Sequence, residues 1–182
     1  MSETSPDLEK ASFGGGCFWC IEPFFDQLKG VQSAQSGYQG GSVNNPSYKE
    51  VTTGKTGHAE VVQVTYDPAE ISYTDLLEVF FKIHDPTTLN RQGADSGTQY
   101  RSVILYNSER QRSLAEAAIQ KLTQENVFSN PIVTTLESAG TFYVAEEYHQ
   151  DYFAKNPNAP YCRLMIAPKL KKIKLRDDLR KK

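Results

Sequence analysis

The sequence predicts an α+β fold, a two-layer, ferredoxin-like sandwich of helices on a mostly antiparallel mixed sheet, in one domain over residues 1–182. Three observations predict it. The elements run β-α-β-β-α-β-α-β-α, mixing hairpin-like with crossover connections, which favours helices packed on a mostly antiparallel sheet. Residues Ala59 to Tyr66 alternate as a strand does and end at Asp67-Pro68. Leu76, Leu77, Phe80, Phe81 and His84 keep helical spacing instead. No internal repeat or interdomain linker interrupts the pattern.

Taken in order, Lys10–Gly14 is a short strand that feeds the Gly14-Gly15-Gly16 turn, and Ile21-Glu22-Pro23-Phe24-Phe25 starts an amphipathic helix. A second strand covers Val31–Tyr38, closed by Gly37, Gly40 and Gly41, and the Gly-, Asn- and Pro-rich residues 39–48 read as a loop. After the 59–66 strand, Ser72 and Asp75 form a capping box, and Asp85-Pro86 stops the helix they open. The thirteen residues from Thr87 to Gln99 have no apolar period; a loop that long in a compact domain is usually functional. Tyr100–Tyr106 is a strand, and Ser108 to about Asn126 a helix with Leu114, Ala118, Ile119 and Leu122 inward. Ile132–Leu136 is the last strand and Ala145–Lys155 a short helix. The ends are expected to be loose: a flexible N-terminus over about residues 1–9, and a coil-like tail over about 156–182.

The formal charge of -2 gives no reason to expect nucleic acid. From Lys169 to Lys182 eight residues are Lys or Arg and two are Asp, a basic run expected to be solvated or to dock an acidic partner. No apolar run approaches the ~18 residues of a membrane span, and the start carries no basic and apolar leader pattern. Three cysteines, an odd count, do not suggest a secreted disulfide scaffold. The expectation is a cytoplasmic monomer, in a reducing compartment where cysteines are more often catalytic or metal-binding than structural.

The informative run is Gly14-Gly15-Gly16-Cys17-Phe18-Trp19-Cys20. A cysteine where a Gly-rich turn enters a helix feels the positive end of the helix dipole, which should lower its pKa and raise its thiolate fraction. Phe18 and Trp19 would form an apolar wall suited to a small, greasy substrate. The Cys17-x-x-Cys20 spacing alone admits a thioredoxin-like dithiol, a zinc site completed by Cys162 and one of His58, His84 or His149, two buried structural thiols, or a nucleophile. A reactive thiolate beside apolar rings suits a methyl-bearing electrophile such as a sulfoxide. Reducing one also requires protonating its oxygen, hence a nearby acid and hydrogen-bond donors.

Seven segments complete a pattern: Gly16-Cys17-Phe18-Trp19, Asn45-Pro46-Ser47-Tyr48, Gly57-His58-Ala59-Glu60-Val61-Val62, His84-Asp85-Pro86-Thr87-Thr88, Asn90-Arg91-Gln92-Gly93, Asp95-Ser96-Gly97-Thr98-Gln99-Tyr100-Arg101-Ser102 and His149-Gln150-Asp151-Tyr152. From about Phe13 to Cys162, in order and in spacing, the chain resembles the methionine sulfoxide reductase A family. The resemblance implies an oxidative-damage repair enzyme that reduces the S epimer of methionine sulfoxide, free or in proteins, without metal or organic cofactor. It implies that Cys17 attacks the substrate sulfur and becomes a sulfenic acid, while Phe18 and Trp19 hold the S-methyl group. Glu60 would carry the proton for the departing oxygen, a role that requires a raised pKa. Tyr48 and Tyr100 would hydrogen-bond that oxygen, and Asp95 would organise the polar side. Read without the resemblance, Glu60 is a solvent-facing strand residue, and His58 and His84 are structural hydrogen-bonders. His149 with Asp151 looks like half a triad, but no serine elbow accompanies it.

Recycling implies a disulfide reducible by thioredoxin or another dithiol. Cys162 matches the tail cysteine that many members use, on a Pro- and Asn-rich approach, and is the first expectation for the resolving thiol. Cys20 stands where other members have Gly and is the second, and a relay through both remains open. The family's more distal tail cysteine is absent here.

Overall fold

The structure, a computed structural model, describes residues 5–181. Among the described residues eight strands and six α-helices succeed one another as β1 (Glu9–Gly14), α1 (Phe18–Asp26), β2 (Val31–Gln39), α2 (Tyr48–Thr52), β3 (Ala59–Tyr66), α3 (Tyr73–Ile83), β4 (Arg91–Gln92), β5 (Asp95–Ser96), β6 (Val103–Tyr106), α4 (Glu109–Gln124), β7 (Thr135–Ser138), β8 (Tyr143–Val144), α5 (Tyr152–Lys155) and α6 (Ala167–Lys172). Six strands form one sheet in the order β7-β6-β1-β3-β2-β8, and β4 and β5 form a separate ribbon. Every pairing in the large sheet is antiparallel except β6 with β7. The mixed, mostly antiparallel sheet with helices is the class that the element order predicts.

Strand β3 lies between β1 and β2 and is covered on both sides. Its alternation therefore separates two apolar faces, with no solvent face to speak of. Val62, Val64 and Tyr66 join Phe13, Phe24, Phe25 and Phe80 in the main core, whereas Ala59 and Val61 join Val103 and Leu105 in a smaller cluster under Phe142. Glu60 shares the parity of Val62 and Val64 and so points toward the side where α1 packs. Phe13 sits centrally, its ring 5.2 Å from Phe25 and 5.1 Å from Phe80.

Local rules account for the helix starts. Ser72 accepts from the Asp75 N–H and the Asp75 carboxylate accepts from the Ser72 N–H, the capping box read from the sequence. Ser47 and Glu50 make a second one that opens α2, so the expected loop over 39–48 ends in a helical turn. Other boundaries differ. Thr98–Tyr100 is a 3₁₀ turn, which delays β6 to Val103, and the strand expected at 132–136 pairs from Thr135. The helix expected over 145–155 is a 3₁₀ turn at Glu147–His149 followed by the four residues of α5, with Asp151 between them in a left-handed conformation.

Residue 182 lies outside the described residues; up to residue 181 the expected coil-like tail is folded. Cys162–Ile166 makes a π turn that runs into α6. Ile166, Leu175 and Leu179 are buried, and Leu170 and Ile173 pack on the main core. Lys29 donates its N–H to the Leu179 carbonyl at 2.8 Å, and Lys181 donates to Gln27 at 2.9 Å. Arg176 pairs with Asp75 at 2.8 Å and with Glu78 at 3.4 Å. Apolar residues spaced among the lysines supply the burial that the Pro- and Lys-rich composition conceals. Of the flexible terminus expected over about 1–9, residues 1–4 lie outside the described residues, 5–8 form no element, and Glu9 already pairs with Tyr66.

Candidate active site

The glycine turn carries Cys17 to the start of α1, where it is the N-cap residue. The turn is built for close approach. A Cβ on Gly15 would lie 2.7 Å from the His84 ring, and Gly16, at φ +92°, would place one 2.6 Å from Gln92. Gly16 donates its N–H to the Tyr100 carbonyl at 3.1 Å, tying the turn to the segment that follows the β4–β5 ribbon.

Phe18 then presents its N–H to Glu60 Oε1 at 3.2 Å. The other carboxyl oxygen, Oε2, is buried and has no hydrogen-bond partner among the described residues. Glu60 is only 1% exposed. Burial, more than the neighbouring Asp95 charge, raises its pKa to about 8, and the Phe18 N–H and the nearby Cys17 thiol moderate the shift. The solvent-facing reading of Glu60 is thus corrected: a central strand has no solvent face at this position.

Cys17 is half-buried, and its thiol is closely surrounded by protein. Its pKa is pushed well above the ordinary thiol value, first by burial and then by Glu60 and Cys20, with only the Trp19 N–H acting against them. This overturns the expectation of a lowered pKa, because the field of one nine-residue helix does not offset desolvation. Thiol and carboxyl therefore both hold their protons near neutral pH.

Tyr48 and Tyr100 face the same point. Burial raises the pKa of Tyr48 to about 12, and the charges of Glu60, Cys17 and Asp95 add to the rise. Tyr100 shifts upward for the same reasons, burial first. Both are therefore neutral O–H donors at any physiological pH. Asp95 accepts a 3.0 Å bond from the Tyr161 hydroxyl, which also lies 3.3 Å from Cys20 Sγ. The structure thus brings Cys17, Glu60, Tyr48, Tyr100, Asp95 and Cys20 together.

The apolar wall is uneven. Phe18 is fully buried, its ring 5.1 Å from His149 and 5.8 Å from Tyr38. Trp19 keeps part of its surface open, stacked on Tyr152 at 3.7 Å and meeting Tyr161 edge-on at 5.7 Å. Its indole N–H donates to His149 Nδ1 at 3.1 Å. The sequence reading missed this role, having weighed His149 as a zinc ligand or as half a triad. Glu22 was missed as well. It accepts from the Ser36 hydroxyl and, at 2.7 Å, from the Asp151 N–H, fastening the segment that carries His149 and Tyr152 to α1 and β2.

His58 and His84 are structural, as read. His58 accepts from the Gly41 N–H at 3.0 Å, and His84 bridges the Phe80 carbonyl at 2.6 Å and Ser102 Oγ at 2.7 Å. Among the described residues no group of three His, Cys, Asp or Glu side chains is placed to hold a metal ion. All three cysteines are free, and Cys162 is wholly covered from solvent, by a thin layer of protein.

Residues 9–181 match the family model described as peptide methionine sulfoxide reductase. The peptide methionine sulfoxide reductase of Polynucleobacter asymbioticus is 53% identical over 169 residues, covering 93% of this chain and 89% of that protein. Among solved structures, reduced Mxr1 from Saccharomyces cerevisiae superposes with a TM-score of 0.79 at 34% identity, covering 97% of this chain and 99% of the other. Mxr1 in complex with Trx2 gives a TM-score of 0.56 at 25% identity, covering 83% and 91%.

Proposed function

The chain belongs to the peptide methionine sulfoxide reductase family, and from that premise we propose that Cys17, Glu60 and the residues around them carry out its reaction. The protein reduces the S epimer of methionine sulfoxide, free or in proteins, through a sulfenic acid and an intramolecular disulfide that thioredoxin recycles. This is repair of oxidised methionine. The observation that carries the assignment of residues is the buried Glu60 carboxyl beside the Cys17 thiol, its Oε2 without a hydrogen-bond partner among the described residues.

In the first step Glu60 gives its proton to the sulfoxide oxygen as Cys17 sulfur attacks the substrate sulfur, and the thiol proton returns to the carboxylate. The S–S bond made by the attack and the substrate S–O bond then both break as a Cys17 S–O bond forms. Methionine leaves with two more electrons, and Cys17 becomes a sulfenic acid. Tyr48 and Tyr100 donate to the oxygen as charge builds on it, and Asp95 holds the polar side. Trp19 offers its open face to the S-methyl group while Phe18 closes the wall behind it. A second thiol then attacks the sulfenic sulfur and expels water. Cys162 and Cys20 are the candidates, and Cys20, in the first turn of α1, stands nearer in the chain.

Finer points of the reading go with this. The order β6-β1-β3-β2 around α1 and α3 supports a ferredoxin-like core. The chemistry uses thiols and one carboxyl, and so asks for no metal or organic cofactor. We read the enzyme as a cytoplasmic monomer whose partners are thioredoxin and oxidised proteins, without nucleic acid. Among the described residues no helix is long and apolar enough to cross a membrane.

The test is a single-turnover assay of fully reduced protein with each epimer. About one methionine per chain from the S epimer alone, with paired thiol loss, is the expected result. No methionine from either epimer overturns the reading.

A further inference from the structure

The tail and α1 meet along one stripe. Cys20 and Phe24 are four residues apart on α1 and so share a face, one turn from each other. Tyr161 sets its hydroxyl 3.3 Å from Cys20 Sγ, and Lys169 holds its Nζ 5.8 Å from the centre of the Phe24 ring. Segment 161–169 therefore lays a hydroxyl and an ammonium along the Cys20–Phe24 face, with Cys162 close enough to influence Cys20. Such an ammonium over an aromatic ring is held by cation–π attraction. Burial lowers the pKa of Lys169, and the nearby thiols of Cys20 and Cys17, more than any carboxylate, act against that shift; His84 also feels its charge. A half-buried ammonium held over Phe24, one turn from Cys20, has no part in the sulfoxide step derived above.

We propose that Lys169 is a positioning residue for the disulfide-forming step: held over Phe24 one turn from Cys20, it stabilises the Cys20 thiolate that attacks the sulfenic sulfur of Cys17. The proposal rests on the sulfenic-acid reading given above. The step balances without an outside reagent. The Cys20 thiolate forms a bond to Cys17 sulfur, the sulfenic S–O bond breaks, and the released hydroxide takes the proton that Cys20 gave up. The oxidising equivalents are those already taken from the sulfoxide.

The groups facing Cys20 define the electrostatic balance. Burial raises its pKa; the Tyr161 hydroxyl and then Lys169 lower it, and Asp95 and Cys162 raise it. Lys169 supplies the one positive charge in that set. Its removal lowers the thiolate fraction about tenfold per pKa unit and raises intrinsic nucleophilicity by roughly threefold, so the net slowing is about threefold per unit.

The experiment follows methionine release and thiol loss separately, by rapid mixing with the S epimer between pH 6 and about pH 10, the range in which thiols titrate. The variants are Lys169→Met, which keeps an apolar stem, Lys169→Gln, Lys169→Arg and Cys20→Ser. We expect one methionine per chain in every lysine variant. In Lys169→Met and Lys169→Gln the disulfide step should be about threefold or more slower at pH 7, with its rising limb displaced upward by about one pH unit and the rates crossing at high pH, where the thiol is ionised in every variant. Lys169→Arg should restore the limb. An unchanged limb in both neutral variants overturns the role of Lys169. Disulfide formation at the wild-type rate in Cys20→Ser overturns Cys20 as the thiol it serves. Failure of the parent enzyme to release methionine sinks the sulfenic-acid reading itself, whatever Lys169 does.

Discussion

Trp19 donates its indole N–H to Nδ1 of His149, and this bond fixes the tautomer of a fully buried imidazole. With Nδ1 accepting, the ring proton sits on Nε2, which has no partner among the described residues. Burial lowers the pKa of His149, so the ring stays neutral and available as an acceptor. Its neighbours at 4.4 Å (Tyr48) and 5.1 Å (Phe18) make it the hinge between the apolar wall and a hydroxyl donor. His149→Phe keeps the packing and removes the acceptor. A lost bond of about 1 kcal/mol, plus the looser indole, should lower kcat/KM for methionine sulfoxide by about five- to tenfold, mainly through KM. Steady-state kinetics on the free amino acid check this, and an unchanged KM would show that Tyr152 alone holds the indole.

The raised pKa of Glu60 predicts a pH profile. The acid form does the work, so the methionine-forming rate should be level below about pH 7 and fall above about pH 8. Glu60→Gln should remove that limb and slow the step by about a hundredfold or more. Stability should move with the same titration. The folded pKa exceeds the unfolded one, so the folded state binds more protons between about pH 4.5 and 8, and stability falls as pH rises through that window. The burden is up to about 5 kcal/mol. Glu60→Gln should therefore gain stability relative to the parent at pH 8 and lose the advantage at pH 4. Denaturant midpoints at the two pH values decide it, and parallel curves would mean that Glu60 is ionised in the folded protein.

What the sequence made legible follows from how local each signal is. Gly14 to Cys20 and Ser72 to Asp75 declare a strand–turn–helix and a capping box within a few residues, and both stand in the structure. Glu60 was illegible as a buried group because alternation tells which residues share a face and not what covers it; β2 and α1 supply the cover. The tail misled through its prolines and lysines, since the contacts of Leu175 and Leu179 are with the far end of the chain. His149 and Glu22 act through partners 130 and 129 residues away, which no local spacing reveals.

Cys162 is buried under the folded tail, so its part in recycling requires residues near 162 to unseat. Cys162→Ser should still release one methionine per chain and form the Cys17–Cys20 disulfide. Turnover with thioredoxin should fall by about tenfold or more, because the exchange partner exposed by the tail is gone. Cys17→Ser should release no methionine at all. Peptide mapping of the oxidised protein, with steady-state rates under thioredoxin, reads both results. Wild-type recycling in Cys162→Ser would remove Cys162 from the cycle.

Gly15 links the fold to the chemistry through His84. A Cβ at residue 15 would meet His84 Cδ2 at 2.7 Å and Cγ at 2.9 Å. The imidazole has little room to give. It is stacked on Phe80 at 4.0 Å, held at both nitrogens, and kept neutral by burial, which lowers its pKa to about 4. The exposed cost of moving it would be two buried hydrogen bonds, about 1 to 3 kcal/mol for each group left unpaired. The glycine turn, already bent at Gly16, is the softer partner, so Gly15→Ala should displace the turn and with it Cys17, two residues on. A shift of even about 1 Å in a nucleophile can cost about a hundredfold in rate. We expect the single-turnover rate to fall by at least about tenfold while the denaturant midpoint drops modestly, with the Glu60 pH limb retained. A large stability loss with a normal rate would mean that His84 yields instead, and that the turn is held in place by the Gly16–Tyr100 bond alone.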